Sequence, residues 1–309
     1  MTIAGQHETP TESRNRGEFD DLSLSFELFP PRAPKAEGPF WQAVTELKEL
    51  SPRFVSVTHG AGGSAPTATH DIVVRLRCES GVTPAAHMTC AGQTKAAVQT
   101  LARSYWDSGV RHIVALRGDA APDGGSYEPH PDGYTYAADL VEELRKIADF
   151  DISVAAYPEM HPEALDAWHD IDNLKRKLDA GAQRAITQFF FDPETYLRFV
   201  DRARAAGIDA PIVPGIMPIL DFKQICRFAE RCNAKIPAWL HALFDDLDDN
   251  PDTRRLVAAV VAAELCRQLY LRGVREFHFY TLNRSHLTSA ICRILRNPVL
   301  RDSDAMRVL

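Results

Sequence analysis

The sequence predicts an α/β protein of the (β/α)8 (TIM) barrel type. Three observations carry this: eight short apolar runs of strand length, helical-period segments between them, and glycines that close several of those segments just before the next run. Alternating strand and helix implies a parallel sheet, and eight units within 309 residues favour closure into a barrel over an open doubly wound sheet. An open nucleotide-binding sheet would carry a GxGxxG turn or a GxxxxGK[ST] loop, and the chain has neither.

In chain order the strand candidates are 22–28, 54–58, 85–89, 112–116, 152–156, 185–189, 212–216 and 277–280. Between them run helical stretches such as 40–50, 94–108, 136–148, 166–180, 194–206 and 253–272. Gly109, Gly181, Gly207 and Gly273 follow four of these, where a left-handed helix cap is cheapest. Residues 1–20 are polar and read as a flexible tail, 21–296 as one catalytic barrel domain, and 297–309 as a second tail. No Gly-, Ser- or Pro-rich linker divides the chain.

A composition of 45% hydrophobic and 25% charged residues is that of a globular protein with a sizeable core. The net charge of -7 argues against a general phosphate-backbone binder, so no nucleic-acid partner is expected, while a small anion held by a local basic cluster stays allowed. The six cysteines form no CxxC pair and have no zinc-site spacing, so they read as reduced thiols and no metal is expected. With no apolar stretch near the roughly 20 residues that span a bilayer, and no secretory signal core, the expectation is a cytoplasmic protein without membrane contact.

Barrel enzymes place their chemistry at the C-terminal ends of the strands and in the loops that follow. There the sequence puts Glu27; Thr58, His59, Gly60 and Ala61; His87 and Thr89; Arg117, Gly118 and Asp119; Tyr157 and His161; Gln188; and Tyr280 with Arg284. Singly, Thr58 or Gln188 reads equally well as the cap of a side-chain layer, and His87 as a satisfied core histidine. Together they gather ionisable groups at one end of the barrel, which a purely structural barrel has no need to do.

Glu27 lies between Phe26 and Leu28 in an apolar strand. Burial there would raise its pKa and let it hold a proton near neutral pH, as a general acid must. The competing reading is a solvated face on an edge strand. Asp170, Asn173, Arg176 and Lys177 fall three and four apart on one helical face. They read either as a solvated charged face or as a grip on phosphate and ribose, Arg176 being suited to bidentate contact.

The segments 25–32 (SFELFPPR), 54–58 (FVSVT), 112–119 (HIVALRGD), 155–159 (AAYPE) with 161–163 (HPE), 186–192 (ITQFFFD) and 277–284 (FHFYTLNR) resemble the bacterial 5,10-methylenetetrahydrofolate reductases, in that family's order. The resemblance implies a barrel that binds FAD at the strand C-termini without a dinucleotide fingerprint. It implies flavin contacts at Thr58, His59, Ala61, His87, Arg117, Gly118, Asp119, Tyr136, Ala137, Tyr157, His161, Asp170, Asn173, Arg176 and Lys177. It makes Glu27 the proton donor, and it assigns Glu27, Asp119, Gln188, Gln224, Tyr280 and Arg284 to the folate, with Phe228 as a stacking aromatic. His59 stands where similar bacterial enzymes often carry tyrosine, and the Gly-, Pro- and Asp-rich loop 120–134 is a second departure.

The resemblance further implies a ping-pong cycle in which NADH, or NADPH, and then the folate use one face of the flavin, giving methyltetrahydrofolate for methionine synthesis. Glu27 would protonate N10 as the ring opens to an iminium ion, and a negatively charged Asp119 would favour that cation. It implies a homo-oligomer of the short bacterial form, without a regulatory C-terminal region. The alternatives are another FAD-dependent barrel oxidoreductase of the proline dehydrogenase kind, or a catalytically silent barrel serving as a binding module.

Overall fold

The computed structural model describes residues 22–59, 66–119 and 127–297. Both expected tails, apart from Asn297, and the expected flavin contact Ala61 lie outside the described residues. The strands are β1 (Ser23–Leu28), β2 (Phe54–Val57), β3 (Pro84–Thr89), β4 (His112–Leu116), β5 (Asp151–Ala156), β6 (Arg184–Thr187), β7 (Ile212–Val213), β8 (Gly215–Ile216) and β9 (Glu276–Tyr280). The helices are α1 (Pro34–Lys48), α2 (Pro66–Arg75), α3 (Lys95–Asp107), α4 (Ala137–Ile147), α5 (Ala167–Asp179), α6 (Pro193–Ala205), α7 (Phe222–Cys232), α8 (Ala238–Phe244), α9 (Pro251–Leu271) and α10 (Ser285–Arg296). A π-helical turn, Leu76–Ser80, extends α2.

All the strand pairs are parallel, in the order β7-β6-β5-β4-β3-β2-β1-β9-β8. The sheet closes because β7 and β8 are one barrel strand interrupted at Pro214. Val213 pairs with Ile186 of β6, whereas Gly215 pairs with His278 of β9. Proline has no N–H for a ladder; its carbonyl accepts from the His278 amide at 3.0 Å, and the Gly215 amide turns to Thr187 Oγ1 at 2.9 Å. Nine hydrogen-bonded pieces therefore fill the eight barrel positions the sequence predicts, and the run 212–216 is the one that splits.

Helix starts follow from local chemistry. The side chains of Thr94, Asp166, Asp192, Asp221 and Asn250 each accept from a backbone amide in the first turn of the helix they precede. The four glycines predicted to cap helices all have positive φ. Beyond the helices named from sequence, α2, α7, α8 and α10 complete the outer ring.

The period of two in each strand divides the core. Leu24, Phe26, Leu28, Val55, Val57, Phe277 and Phe279 face outward into the main apolar core under the helices. Inside the barrel, Phe54, Ala85, Val114, Ile186 and Val213 form a small apolar plug. At the N-terminal end of the strands the interior is polar: buried Arg184 pairs with Asp151 at 2.8 Å and donates to Ser153 Oγ at 3.2 Å, and Ser153 Oγ lies 2.8 Å from His112 Nε2.

Gly215 faces inward against the Tyr280 ring. A Cβ there would stand 2.1 Å from the Thr187 carbonyl oxygen and 2.5 Å from Tyr280 Cε2. Neither neighbour is the free end of a flexible chain, so the strands themselves would have to part. Gly215→Ala is expected to destabilise the protein by about 3 kcal/mol, the upper range for overpacking, read as a lowered midpoint in urea unfolding.

Candidate active site

The candidate residues come from different strands and reach one end of the barrel. Glu27 is on β1, Thr58 and His59 follow β2, His87 is on β3, and Arg117, Gly118 and Asp119 follow β4. Tyr157 and His161 follow β5, Gln188 follows β6, Tyr280 ends β9, and Tyr136 and Arg284 flank the starts of α4 and α10. The edge-strand reading of Glu27 is excluded, because β1 is paired on both sides, to β2 and to β9.

Glu27 Oε2 lies 3.5 Å from His87 Nε2, with 15% of the Glu27 side chain and 8% of the His87 side chain exposed. Burial pushes the Glu27 carboxyl up to about 8. Burial, followed by repulsion from His59 and His112, pulls His87 down to about 3. The pair at neutral pH is thus a carboxylic acid beside a neutral imidazole, not an ion pair, because neither group keeps its charge once water is excluded. Tyr280, opposite Glu27 in the strand register, donates its hydroxyl to the Thr187 carbonyl at 2.7 Å. Burial and the nearby Glu27 hold the Tyr280 phenol well above its ordinary range.

Three buried polar atoms at this end have no hydrogen-bond partner among the described residues: Thr58 Oγ1, His59 Nδ1 and His87 Nε2. Buried polar atoms are normally satisfied. Three orphans on adjacent strand ends fit a polar bound group such as a flavin, which offers donors and acceptors along one edge.

A second cluster lies over β4 and β5. Arg117 donates through both terminal nitrogens to the Glu163 carboxylate, one of these bonds measuring 3.0 Å. The Tyr157 and His161 rings meet edge-on with centroids 4.6 Å apart. The His161 amide donates to Asp170 Oδ2 at 3.1 Å, and Lys177 Nζ donates to the Ala155 carbonyl. Burial raises Asp170 and lowers Lys177 to about 8. Asn173 and Arg176 bond each other nearer the surface. The α5 quartet is therefore part embedded and part solvated: Asp170 and Lys177 are fixed beside the strand-five loop, whereas Arg176 is exposed.

Gln188, Gln224, Phe228 and Arg284 stay apart from these contacts. Gln188 Oε1 accepts from the Phe189 amide at 3.0 Å, and no side-chain hydrogen bond or ion pair among the described residues ties Gln224 or Arg284 to the cluster. Gln224 and Phe228 sit one turn apart on α7, so they share a face. Sequence reasoning missed Glu163 as the partner of Arg117 and Tyr127 as the ring 4.3 Å from the Arg117 guanidinium. The Pro214-Gly215 pair inside an apolar run was the signal for the split strand. Nothing in spacing alone marks Tyr127.

A closed parallel barrel with a desolvated carboxylic acid and unsatisfied polar atoms at its C-terminal end defines an enzyme of the barrel class. The family model described as methylenetetrahydrofolate reductase matches residues 13–296. The 5,10-methylenetetrahydrofolate reductase of Escherichia coli K12 is 51% identical over 274 residues, covering 89% of this chain and 90% of the relative. That of Buchnera aphidicola subsp. Baizongia pistaciae is 45% identical, covering 90% and 92%. Methylenetetrahydrofolate reductase (NADH) 1 of Arabidopsis thaliana is 35% identical over 86% of this chain and 47% of its own length. The chain belongs to the methylenetetrahydrofolate reductase family and is an oxidoreductase. Membership sets aside the proline dehydrogenase and silent-barrel alternatives. Among solved structures, a Clostridium thermocellum protein described as binding two copies of 5-methyl-5,6,7,8-tetrahydrofolic acid shares the fold, with a TM-score of 0.60, 13% identity and coverage of 94% and 97%. No helix among the described residues is long and apolar enough to cross a membrane.

Because the Glu27 pKa is raised on folding, from 4.5 to about 8, the folded state binds the extra proton. Its contribution to stability is therefore fully present below the lower value and is lost as pH rises through the upper one. Glu27→Gln is expected to remove this decline. Across pH 5 to 8 the unfolding free energy of the variant should gain on the wild type by up to about 1.4 kcal/mol per pH unit, measured by urea titration at several pH values; parallel curves would contradict the buried protonated acid.

Proposed function

We propose that this protein reduces 5,10-methylenetetrahydrofolate to 5-methyltetrahydrofolate with electrons from NADH, using FAD held at the C-terminal end of the barrel. The observation that carries the reading is Glu27, a desolvated carboxylic acid 3.5 Å from the unsatisfied His87 Nε2, at the barrel end where Thr58 and His59 also carry unsatisfied atoms, in a chain of this family. FAD, when bound, accepts hydride from the reduced nicotinamide and returns it to the folate.

Thr58, His59 and His87 would meet the ring system from the strand ends. Arg117, Gly118 and Asp119 would flank it from β4, and Tyr157, His161, Asp170, Asn173, Arg176 and Lys177 would hold the dinucleotide portion, with Tyr136 and Ala137 at the start of α4. Lys177 and Asp170 come to this task already positioned, since each is tied by a hydrogen bond to the strand-five region.

The folate's five-membered ring must open before its methylene carbon accepts hydride, and opening requires a proton on the departing N10. Glu27 donates that proton and regains one from solvent in each cycle. Asp119 supplies negative charge toward the cationic iminium. Gln188, Gln224, Tyr280 and Arg284 orient the pterin and its tail, and Phe228 stacks on whichever substrate is bound. The nicotinamide and the folate take the same place in turn, which makes the cycle ping-pong.

The two half-reactions separate the roles. In anaerobic stopped-flow absorbance, NADH should bleach the flavin in wild type and in Glu27→Gln alike, while reoxidation by methylenetetrahydrofolate should fall about 100-fold or more in the variant. The wild-type folate step should weaken as pH rises through about 8, and the NADH step should not share that limb. Equal damage to both steps would remove Glu27 from the proton transfer; a protein that never bleaches would remove the flavin reading itself.

A further inference from the structure

Arg117 leaves the end of β4 with its guanidinium enclosed on several sides. Its Nε donates to the Gly118 carbonyl at 3.1 Å, and its terminal nitrogens face the Glu163 carboxylate. The Tyr127 ring covers one face, with its centroid 4.3 Å from Cζ. Glu163 is half exposed, so solvent screens its hold on the guanidinium. Left with that partner alone, the guanidinium would follow the carboxylate toward solvent. A ring over its face holds the guanidinium without consuming any N–H donor, so those not engaged by Gly118 and Glu163 stay available to an anionic or carbonyl-rich ligand.

Tyr127 is itself fastened. Its hydroxyl is 4.0 Å from Cys90 Sγ, and that thiol reaches the Arg117 carbonyl at 3.4 Å. The backbone that follows is tied to the start of α3, where the Lys95 amide donates to the Asp132 carbonyl at 2.8 Å. Further along, Tyr134 is buried, its hydroxyl 3.4 Å from Gln99 Nε2 and its ring 5.6 Å from Lys95 Nζ. The segment 127–136 is thus a strap bound to the β3–α3 corner that presents one aromatic face to Arg117.

We propose that Tyr127 is a positioning residue for cofactor binding: its ring stacks on Arg117 and holds that guanidinium over the barrel end, ready for FAD. The proposal rests on the flavin reading above. It gives Tyr127, in the connection between β4 and α4, a role in the affinity of the site.

The test measures FAD binding to protein stripped of flavin, by quenching of flavin fluorescence, for wild type, Y127F, Y127W and Y127L, with thermal midpoints of the flavin-free forms taken alongside. Y127L should bind FAD about tenfold more weakly. Y127F and Y127W, which keep a ring, should stay within about threefold of wild type. In an R117A background Y127L should cost nothing further, because the ring acts through the arginine. Equal FAD affinity in Y127L and wild type, a loss in Y127F as large as in Y127L, additive losses with R117A, or a loss that merely tracks a lowered thermal midpoint would each overturn it. A wild-type protein that takes up no FAD would remove the proposal together with the flavin reading beneath it.

Discussion

A closed barrel has no edge, so every strand must find partners on both sides, and the constraint bites hardest where a proline sits in the seventh strand. Pro214 cannot donate, and the strand answers by pairing its first half with β6 and its second half with β9. The twist at that break sends the Gly215 amide to a side chain, Thr187 Oγ1, in place of a strand carbonyl. The Thr187 carbonyl then accepts the Tyr280 hydroxyl. A residue with a Cβ at 215 would occupy the volume that the Tyr280 ring fills. Closure of the fold and placement of a ring beside Glu27 are therefore one structural event.

That event bears on the chemistry of Glu27 through what it withholds. A carboxylate that accepts two or three hydrogen bonds is stabilised as the anion and titrates low. Three hydroxyl donors, on β1 and at the end of β9, are committed elsewhere. Tyr280 is bonded to Thr187, Ser25 Oγ lies 2.8 Å from His278 Nδ1, and the Thr281 hydroxyl goes to the backbone carbonyl of Glu27, not to its carboxyl. His87 Nε2, at 3.5 Å, is left without a hydrogen bond; with no hydrogen bond to the Glu27 carboxyl among the described residues, desolvation decides the direction, and the acid stays protonated near neutral pH.

Much of this was legible in the chain because strands and helices announce themselves by period. The predicted strands agree with the observed ones to within one or two residues except at 212–216, where an apolar run concealed a change of partner that only closure reveals. Glu27 was legible for a physical reason: a carboxylate flanked by Phe26 and Leu28 in a paired strand has nowhere solvated to go. The α5 quartet was legible as a face but not in its depth, since spacing locates a side chain around the helix axis and says nothing of what packs over it. Asp170 proved buried, Lys177 half-buried and Arg176 exposed. Contacts between loops were illegible: Arg117 with Glu163 spans 46 positions, and Arg117 with Tyr127 depends on how a loop returns over the sheet.

The interior below the site completes the electrostatic argument. His112 and His278 lie under His87, and burial pulls all three down to about 3. Phe54 packs between the lower two, with ring centroids 4.1 Å from His112 and 5.9 Å from His278. The positive charge of buried Arg184 is placed at the far end of the strands, against Asp151 at 2.8 Å. A cation at His87, 3.5 Å away, would favour the ionised form of Glu27 and oppose the desolvation that keeps the carboxyl neutral. The barrel therefore keeps its charge compensated at the N-terminal end and its middle layer neutral. Polar but uncharged histidines fill the space without offering Glu27 a counter-ion, and that neutrality is what lets a carboxylic acid at the other end retain the proton its proposed role requires.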